Sequence, residues 1–128
     1  VPAFTSTEAV FDGRRGNYDE SDAPNPLVVY GKQKVEIEQY LADTFSHYLL
    51  LRPAMVYGDV PGDGTLLTDW ADKIRRGESL TCAHDNRSAP IHVDDCAAMI
   101  VELLRRDCGG IYHVAGPRSV SRCDLADL

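Results

Sequence analysis

Residues 47–52, HYLLLR, form an unbroken apolar run closed by an arginine, and they follow directly on a stretch whose apolar positions recur at helical spacing. A strand that is apolar on both faces is the pattern of a parallel sheet, covered by helices on either side. Parallel neighbours need a long crossover connection, and the chain supplies one. Residues 2–7, PAFTST, read as a short strand ending in hydroxyl residues, and FDGRRGNYDESDAPNP after it is a long polar loop. Asp12-Gly13 suits a tight turn, while Pro24 and Pro26 keep the backbone extended just before a helix. From Leu27 to about Phe45 the positions Leu27, Val28, Tyr30, Val35, Ile37, Leu41 and Phe45 mark the crossover helix. The order strand, loop, helix, strand is a βαβ unit, which places the chain in the α/β class.

Beyond Tyr57 the pattern changes. GDVPGDG is a glycine-rich loop, and Thr65 to Arg76 reads as an amphipathic helix closed by Gly77. A brief strand SLTCA, a loop HDNRSAP and the strand-like IHV lead to a helix from Asp94 to Arg106 that Gly109-Gly110 terminates. GIYHVAG is another strand, Pro117 a break, and Ser121 a helix N-cap. The reading divides the chain into residues 1–57, part of a sheet domain, and 58–128, a mixed segment that returns to the sheet.

The formal charge of −7 and pI near 4.9 argue against a nucleic-acid surface, which needs clustered lysine and arginine. The two basic clusters, KIRRG and LLRRD, read as helix C-termini whose cations oppose the dipole. No apolar run is long enough to cross a bilayer, so no membrane contact is expected. Cys82, Cys96, Cys108 and Cys123 show no paired spacing, and the four histidines form no HExxH or HxxxH pair. Neither a disulfide framework nor a metal site is signalled, and a reducing cytoplasmic setting is the expectation. The amino terminus lacks both an initiating Met and a basic signal region, as in a chain that starts in mid-fold.

The candidate chemistry lies in VVYGKQK, where Tyr30 and Lys34 are one helical turn apart and face the same side. A tyrosine is a poor acid at neutral pH, and a fixed cation beside it favours its phenolate. Such pairs also arise by chance in many helices, so the context decides. TSTEAVFDG precedes the helix and YDESDAPNPLVVYGKQK leads into it; farther on come LLLRPAMVYG, APIHVDDCAAMI and GIYHVAGPRSVSRCDLA.

These motifs, in this order and over nearly the whole chain, resemble the extended short-chain dehydrogenase/reductases, and in particular the dTDP-4-dehydrorhamnose reductase-like, sugar-nucleotide-binding branch. The resemblance implies an NAD(P)-binding, Rossmann-like doubly wound sheet with its N-terminal half missing, and part of a small substrate-binding lobe. It implies that Tyr30 donates a proton to a ketone oxygen, Lys34 holds the nicotinamide ribose, and Thr7 hydrogen-bonds the same carbonyl. Hydride attack on a ketone builds an alkoxide, so donors must be aimed at that oxygen. Thr7 also suits a loop cap, with Ser6 beside it as an alternative hydroxyl. Arg52 and Pro53 would line the cofactor at the sheet's C-terminal edge, and Glu8 and Met55, with Thr7, would face the sugar. His92 and Asp94 of HVDD read as a packing residue and a helix cap.

Three departures narrow the resemblance. The glycine turn GxxGxxG that receives the pyrophosphate does not occur, and Gly58, Gly62 and Gly64 have another spacing. Only the C-terminal portion of the family is therefore matched. Glu8 and Ala9 replace the Asp-Tyr common in the reductase branch, and Met55 stands where a tryptophan is usual, which leaves the sugar open. The expected activity is NADPH- or NADH-dependent reduction of the 4-keto group of a nucleotide-linked deoxysugar, by a longer enzyme of which this chain is part, with room for a homodimer. Two alternatives accompany it: an NAD-dependent nucleotide-sugar epimerase or dehydratase, and a non-catalytic regulatory subunit resembling the β subunit of methionine adenosyltransferase.

Overall fold

The computed structural model describes residues 1–127. In chain order the elements are β1 (Ala3–Thr5), a 3₁₀ turn (Glu8–Val10), α1 (Val29–Thr44), β2 (Leu49–Pro53), β3 (Val56–Tyr57) and α2 (Leu66–Arg75). They are followed by β4 (Arg87–Ser88), β5 (Ile91–His92), α3 (Val93–Arg105), β6 (Gly110–Val114), β7 (Val120–Ser121) and α4 (Arg122–Ala126). The chain divides into two compact units, one of Val1–Pro53 with Ala98–Val114, the other of Ala54–Ala97 with the segment from Ala115 on.

The first unit is built on a parallel sheet of order β1-β2-β6. Leu50 pairs with Phe4 on one side and Ile111 on the other, and Leu51 with Thr5 and Tyr112. As the middle strand, β2 is covered on both faces, and Leu49, Leu50 and Leu51 are fully buried with Val10 and Val114. Each such side chain contributes about 1.5–3 kcal/mol. The apolar run is thus the core strand its pattern predicts.

Helix α1 forms where expected, but of the apolar positions that mark it only Leu41 is buried. Its buried residues are Gly31, Glu38 and Leu41, whereas Leu27, Val28, Tyr30, Ile37 and Phe45 are exposed. Its inner face meets the 3₁₀ turn through Gly31 and carries Glu38 to an ion pair with Arg52.

The C-terminus of α3 also differs from expectation. It closes in a Schellman motif, with the N–H of Asp107 donating to Leu104 O at 3.0 Å and that of Cys108 to Leu103 O at 3.0 Å. Asp107, at φ 51°, takes the left-handed position, so the helix ends before the glycine pair. Gly110 opens β6 instead.

In the second unit β3 pairs with β5 in parallel, and β4 with β7 antiparallel. Helix α2 buries Thr68 and Trp70 and ends at Gly77, φ 72°, as expected. The segment SLTCA forms no strand. The ladder is made by Arg87 and Ser88 within the expected loop, because β7 offers its partners there and Arg87 Nη2 also donates to Ser119 O at 2.8 Å. Ser121 caps α4 in a reciprocal box with Asp124, at 3.0 and 2.8 Å. Both basic clusters do end helices, and their arginines pair with Asp72, Glu78 and Glu102. Among the described residues no helix is long and apolar enough to cross a membrane.

Candidate active site

The site takes shape at the C-terminal edge of the three-stranded sheet, where β1 gives way to the 3₁₀ turn. Parallel pairing continues one residue past β1, since the Ser6 N–H donates to Leu51 O at 2.7 Å. Thr7 then caps the turn, its Oγ1 accepting from the Ala9 N–H at 3.2 Å. Thr7 itself is half-buried at the end of the strand. Ser6 is 2% exposed and donates to the Glu38 carboxylate, so its hydroxyl is engaged inside the fold.

Gly31 brings α1 against that turn. A Cβ there would overlap the Ala9 carbonyl oxygen and lie 2.9 Å from Pro26 Cβ. Only a residue without a side chain permits so close an approach. The residue before it, Tyr30, is 53% exposed, which leaves the phenol open to an incoming ligand. One turn on, Lys34 Nζ donates to Thr5 O at 2.8 Å and sits 5.6 Å from the centre of the Tyr30 ring and 4.6 Å from that of Phe4. Lys34 is thus anchored on β1 beside Tyr30, and Gly31 between them in sequence touches the turn that Thr7 caps. An ammonium has three N–H bonds and one is spent on Thr5, so Lys34 retains donors for the hydroxyls of a ribose. That chemistry fits the nicotinamide end of a dinucleotide.

Arg52 is placed differently from an open cofactor ligand. It is 3% exposed, and its Nε and Nη2 reach Glu38 at 3.1 and 2.6 Å. Its Nη1 is buried with no hydrogen-bond partner. Pro53 closes β2 and is half-buried. Glu8 is exposed in the 3₁₀ turn. Met55 belongs to the second unit, where its N–H donates to Ser88 Oγ at 3.3 Å and its carbonyl accepts from the Ile91 N–H at 3.0 Å. His92 packs edge-on against Tyr57 at 5.4 Å, and its Nδ1 accepts the Asp94 N–H at 3.3 Å. His92, and not Asp94, is thus the residue that caps the start of α3.

A cluster that the sequence did not announce lies beside Arg52. Phe11 stacks on Tyr18 with ring centres 4.4 Å apart, meets His113 edge-on at 5.6 Å, and carries the Arg52 guanidinium 5.1 Å from its centre. Tyr18 donates to Asp12 at 2.6 Å; this bond and the Arg14 N–H hold the Asp12 carboxyl below the usual range. The His113 N–H donates to Glu20 at 2.8 Å and lowers the Glu20 carboxyl likewise. The loop is thereby tied to the edge strand β6. Glu38 carried a signal in the sequence, since it repeats the four-residue spacing of Tyr30 and Lys34; the aromatic stack carried none.

Comparison with known proteins agrees with this architecture. Residues 3–128 match the family model described as the RmlD substrate binding domain. Methionine adenosyltransferase 2 subunit beta of Danio rerio is 30% identical over 97% of this chain and 42% of its own length. The probable low-salt glycan biosynthesis reductase Agl14 of Haloferax volcanii is 32% identical over 95% of this chain and 42% of its own. A crystal structure of dTDP-4-dehydrorhamnose reductase from Bacillus anthracis in complex with NADP superposes with a TM-score of 0.89, at 28% identity, covering 98% of this chain and 44% of that one. The chain thus spans less than half the length of the proteins it matches. With a parallel sheet, a crossover helix and a family match that runs from β1 onward, the chain belongs to the RmlD substrate binding domain family and has the Rossmann-like fold of the sugar-nucleotide reductases.

Proposed function

We propose that this chain forms part of an NAD(P)H-dependent reductase acting on the 4-keto group of a nucleotide-linked deoxysugar. The observation that carries the reading is the corner itself, in which the Gly31 contact sets α1 against the turn of Thr7 while Lys34 anchors on Thr5 beside Tyr30. In that corner Thr7 and the Tyr30 phenol orient the ketone oxygen, Tyr30 passes its proton to the oxygen as negative charge grows there, and Lys34 stabilises the phenolate left behind. Lys34 would also hold the nicotinamide ribose, the bound cofactor supplying the hydride. Either NADPH or NADH suits these residues. Glu8 and Met55 are proposed to bear on the sugar.

Tyr30→Phe in the full-length protein tests this, because it removes one hydroxyl from an exposed helical position. Turnover of keto sugar, followed by loss of NAD(P)H absorbance, is expected to fall by ~10² to 10⁴. Near-normal turnover would refute the assignment.

A second reading follows from the Danio rerio relative, a named subunit of methionine adenosyltransferase at 30% identity. On that reading the full-length protein binds an adenosyltransferase and turns over no sugar. Co-purification with the synthetase, together with no cofactor oxidation by any keto sugar, would favour it.

A further inference from the structure

Tyr30, Lys34 and Glu38 follow one another at four-residue intervals on a single face of α1. The first two reach the open corner. Glu38 is 7% exposed, and its carboxylate gathers three donors: Arg52 Nε at 3.1 Å, Arg52 Nη2 at 2.6 Å and the Ser6 hydroxyl. These donors come from two neighbouring strand ends. Ser6 lies between β1 and Thr7, and Arg52 lies in β2 with its guanidinium over Phe11.

Cohesion does not account for this arrangement, because a buried ion pair is roughly matched in stability by apolar residues of the same volume. Direction does. A bidentate fork allows one relative orientation of helix and strand, and the Ser6 hydroxyl on the same carboxylate fixes the residue next to Thr7. Gly31 sets the spacing of helix and turn near the start of α1; Glu38 sets it again two turns later. With both points held, α1 can neither slide nor roll over the end of β1.

We propose that Glu38 is a positioning residue: through Ser6 and Arg52 it holds Thr7 in register with Tyr30 and Lys34, without itself touching substrate. The proposal rests on the reading that those three residues act together.

The test uses the full-length protein with Ser6→Ala, Ser6→Thr and the paired change Glu38→Met with Arg52→Met. The paired change avoids leaving one charge buried alone, which by itself tends to unfold a protein. It is expected to melt within a few degrees of the parent while kcat falls about 10- to 100-fold, the usual cost of a small misplacement. Ser6→Ala leaves the ion pair intact and is expected to lower kcat about threefold to tenfold, with KM for dinucleotide and sugar unchanged and Ser6→Thr restoring it. Amide exchange read by mass spectrometry is expected to quicken about tenfold at residues 7–10 and 29–34, and to stay unchanged in β2. A folded paired variant with parental kcat and parental exchange would overturn the proposal. So would exchange that quickens uniformly across the first unit, which is the mark of a purely structural role. Should the parent reduce no keto sugar, the proposed function falls, and the exchange measurement still decides the role of Glu38.

Discussion

Replacing Gly31 with alanine sets two effects of opposite sign against each other, and the structure says which prevails. Within a helix, glycine to alanine is worth ~1 kcal/mol in favour of the variant, because alanine loses less backbone entropy. Against that stands the contact of α1 with the 3₁₀ turn, where the added methyl would overlap the Ala9 carbonyl and press on Pro26 at 2.9 Å. The first obstacle is backbone and the second a rigid ring, so neither can swing aside, and overpacking of this kind costs about 1–3 kcal/mol. With the obstacle on the main chain the upper part of that range applies, which leaves a net loss of about 1–2 kcal/mol. The helix must also lift from the turn, carrying Tyr30 and Lys34 away from Thr7. A shift approaching 1 Å at a reacting group costs up to about 10²-fold in rate. Urea denaturation of the full-length protein, with keto-sugar turnover beside it, measures both. Gln33→Ala, on the exposed side of the same helix, serves as the reference. If Gly31→Ala stabilises the protein by about the helix-propensity increment and keeps parental turnover, the close approach described here does not hold the site together.

Lys34→Ala is expected to weaken dinucleotide binding and turnover together, measured by calorimetry and steady-state rates, whereas Lys32→Ala, exposed and on another helical face, is expected to change neither. Equal losses at both positions would point to a diffuse field in place of a specific contact. Glu20→Gln tests the tie between loop and edge strand through pH. The Glu20 carboxyl is lowered by the His113 N–H, so its contribution is complete above the unfolded value and disappears as pH falls through the lower folded one. Melting curves of parent and variant are therefore expected to differ at neutral pH and to draw together as pH falls below the ordinary range of the carboxyl, ~4. A gap that does not narrow at all as pH falls from neutral through the acid range would contradict the assigned cause.

The sheet was legible because β2 carries its own signature. Three consecutive leucines have no solvent-facing alternate, which demands cover on both faces, and Leu49–Leu51 receive it. That Tyr30 and Lys34 share a face was legible from helical spacing, whereas their proposed roles came only from the resemblance of the surrounding motifs. Glu38 was not weighed, although the same spacing contains it, because a glutamate on a helix usually faces water and its burial depends on Arg52, distant in sequence. SLTCA misled for the opposite reason: its composition suits a strand, but a strand exists only with a partner, and β7 lies beside Arg87 and Ser88 instead. The Phe11 stack joins residues from three separate segments and leaves no periodic trace.

The loop that follows β1 has an anchored stem and a free tip, and this asymmetry bears on where its surface can be varied. Arg15 lies over Tyr18 at 4.9 Å, Tyr18 on Phe11 and Phe11 under Arg52, while Gly13, Gly16 and Asn17 turn the chain at φ 72°, 72° and 48°. A Cβ at Gly13 or Gly16 would meet open space, so what those positions resist is backbone conformation and not crowding. Diversity confined to the exposed Arg14, with Phe11, Asp12, Arg15, Tyr18 and Glu20 held constant, would therefore vary the outer surface of the loop on an unchanged frame. The same diversity spread over the stem would be spent on chains that lose their footing on β6.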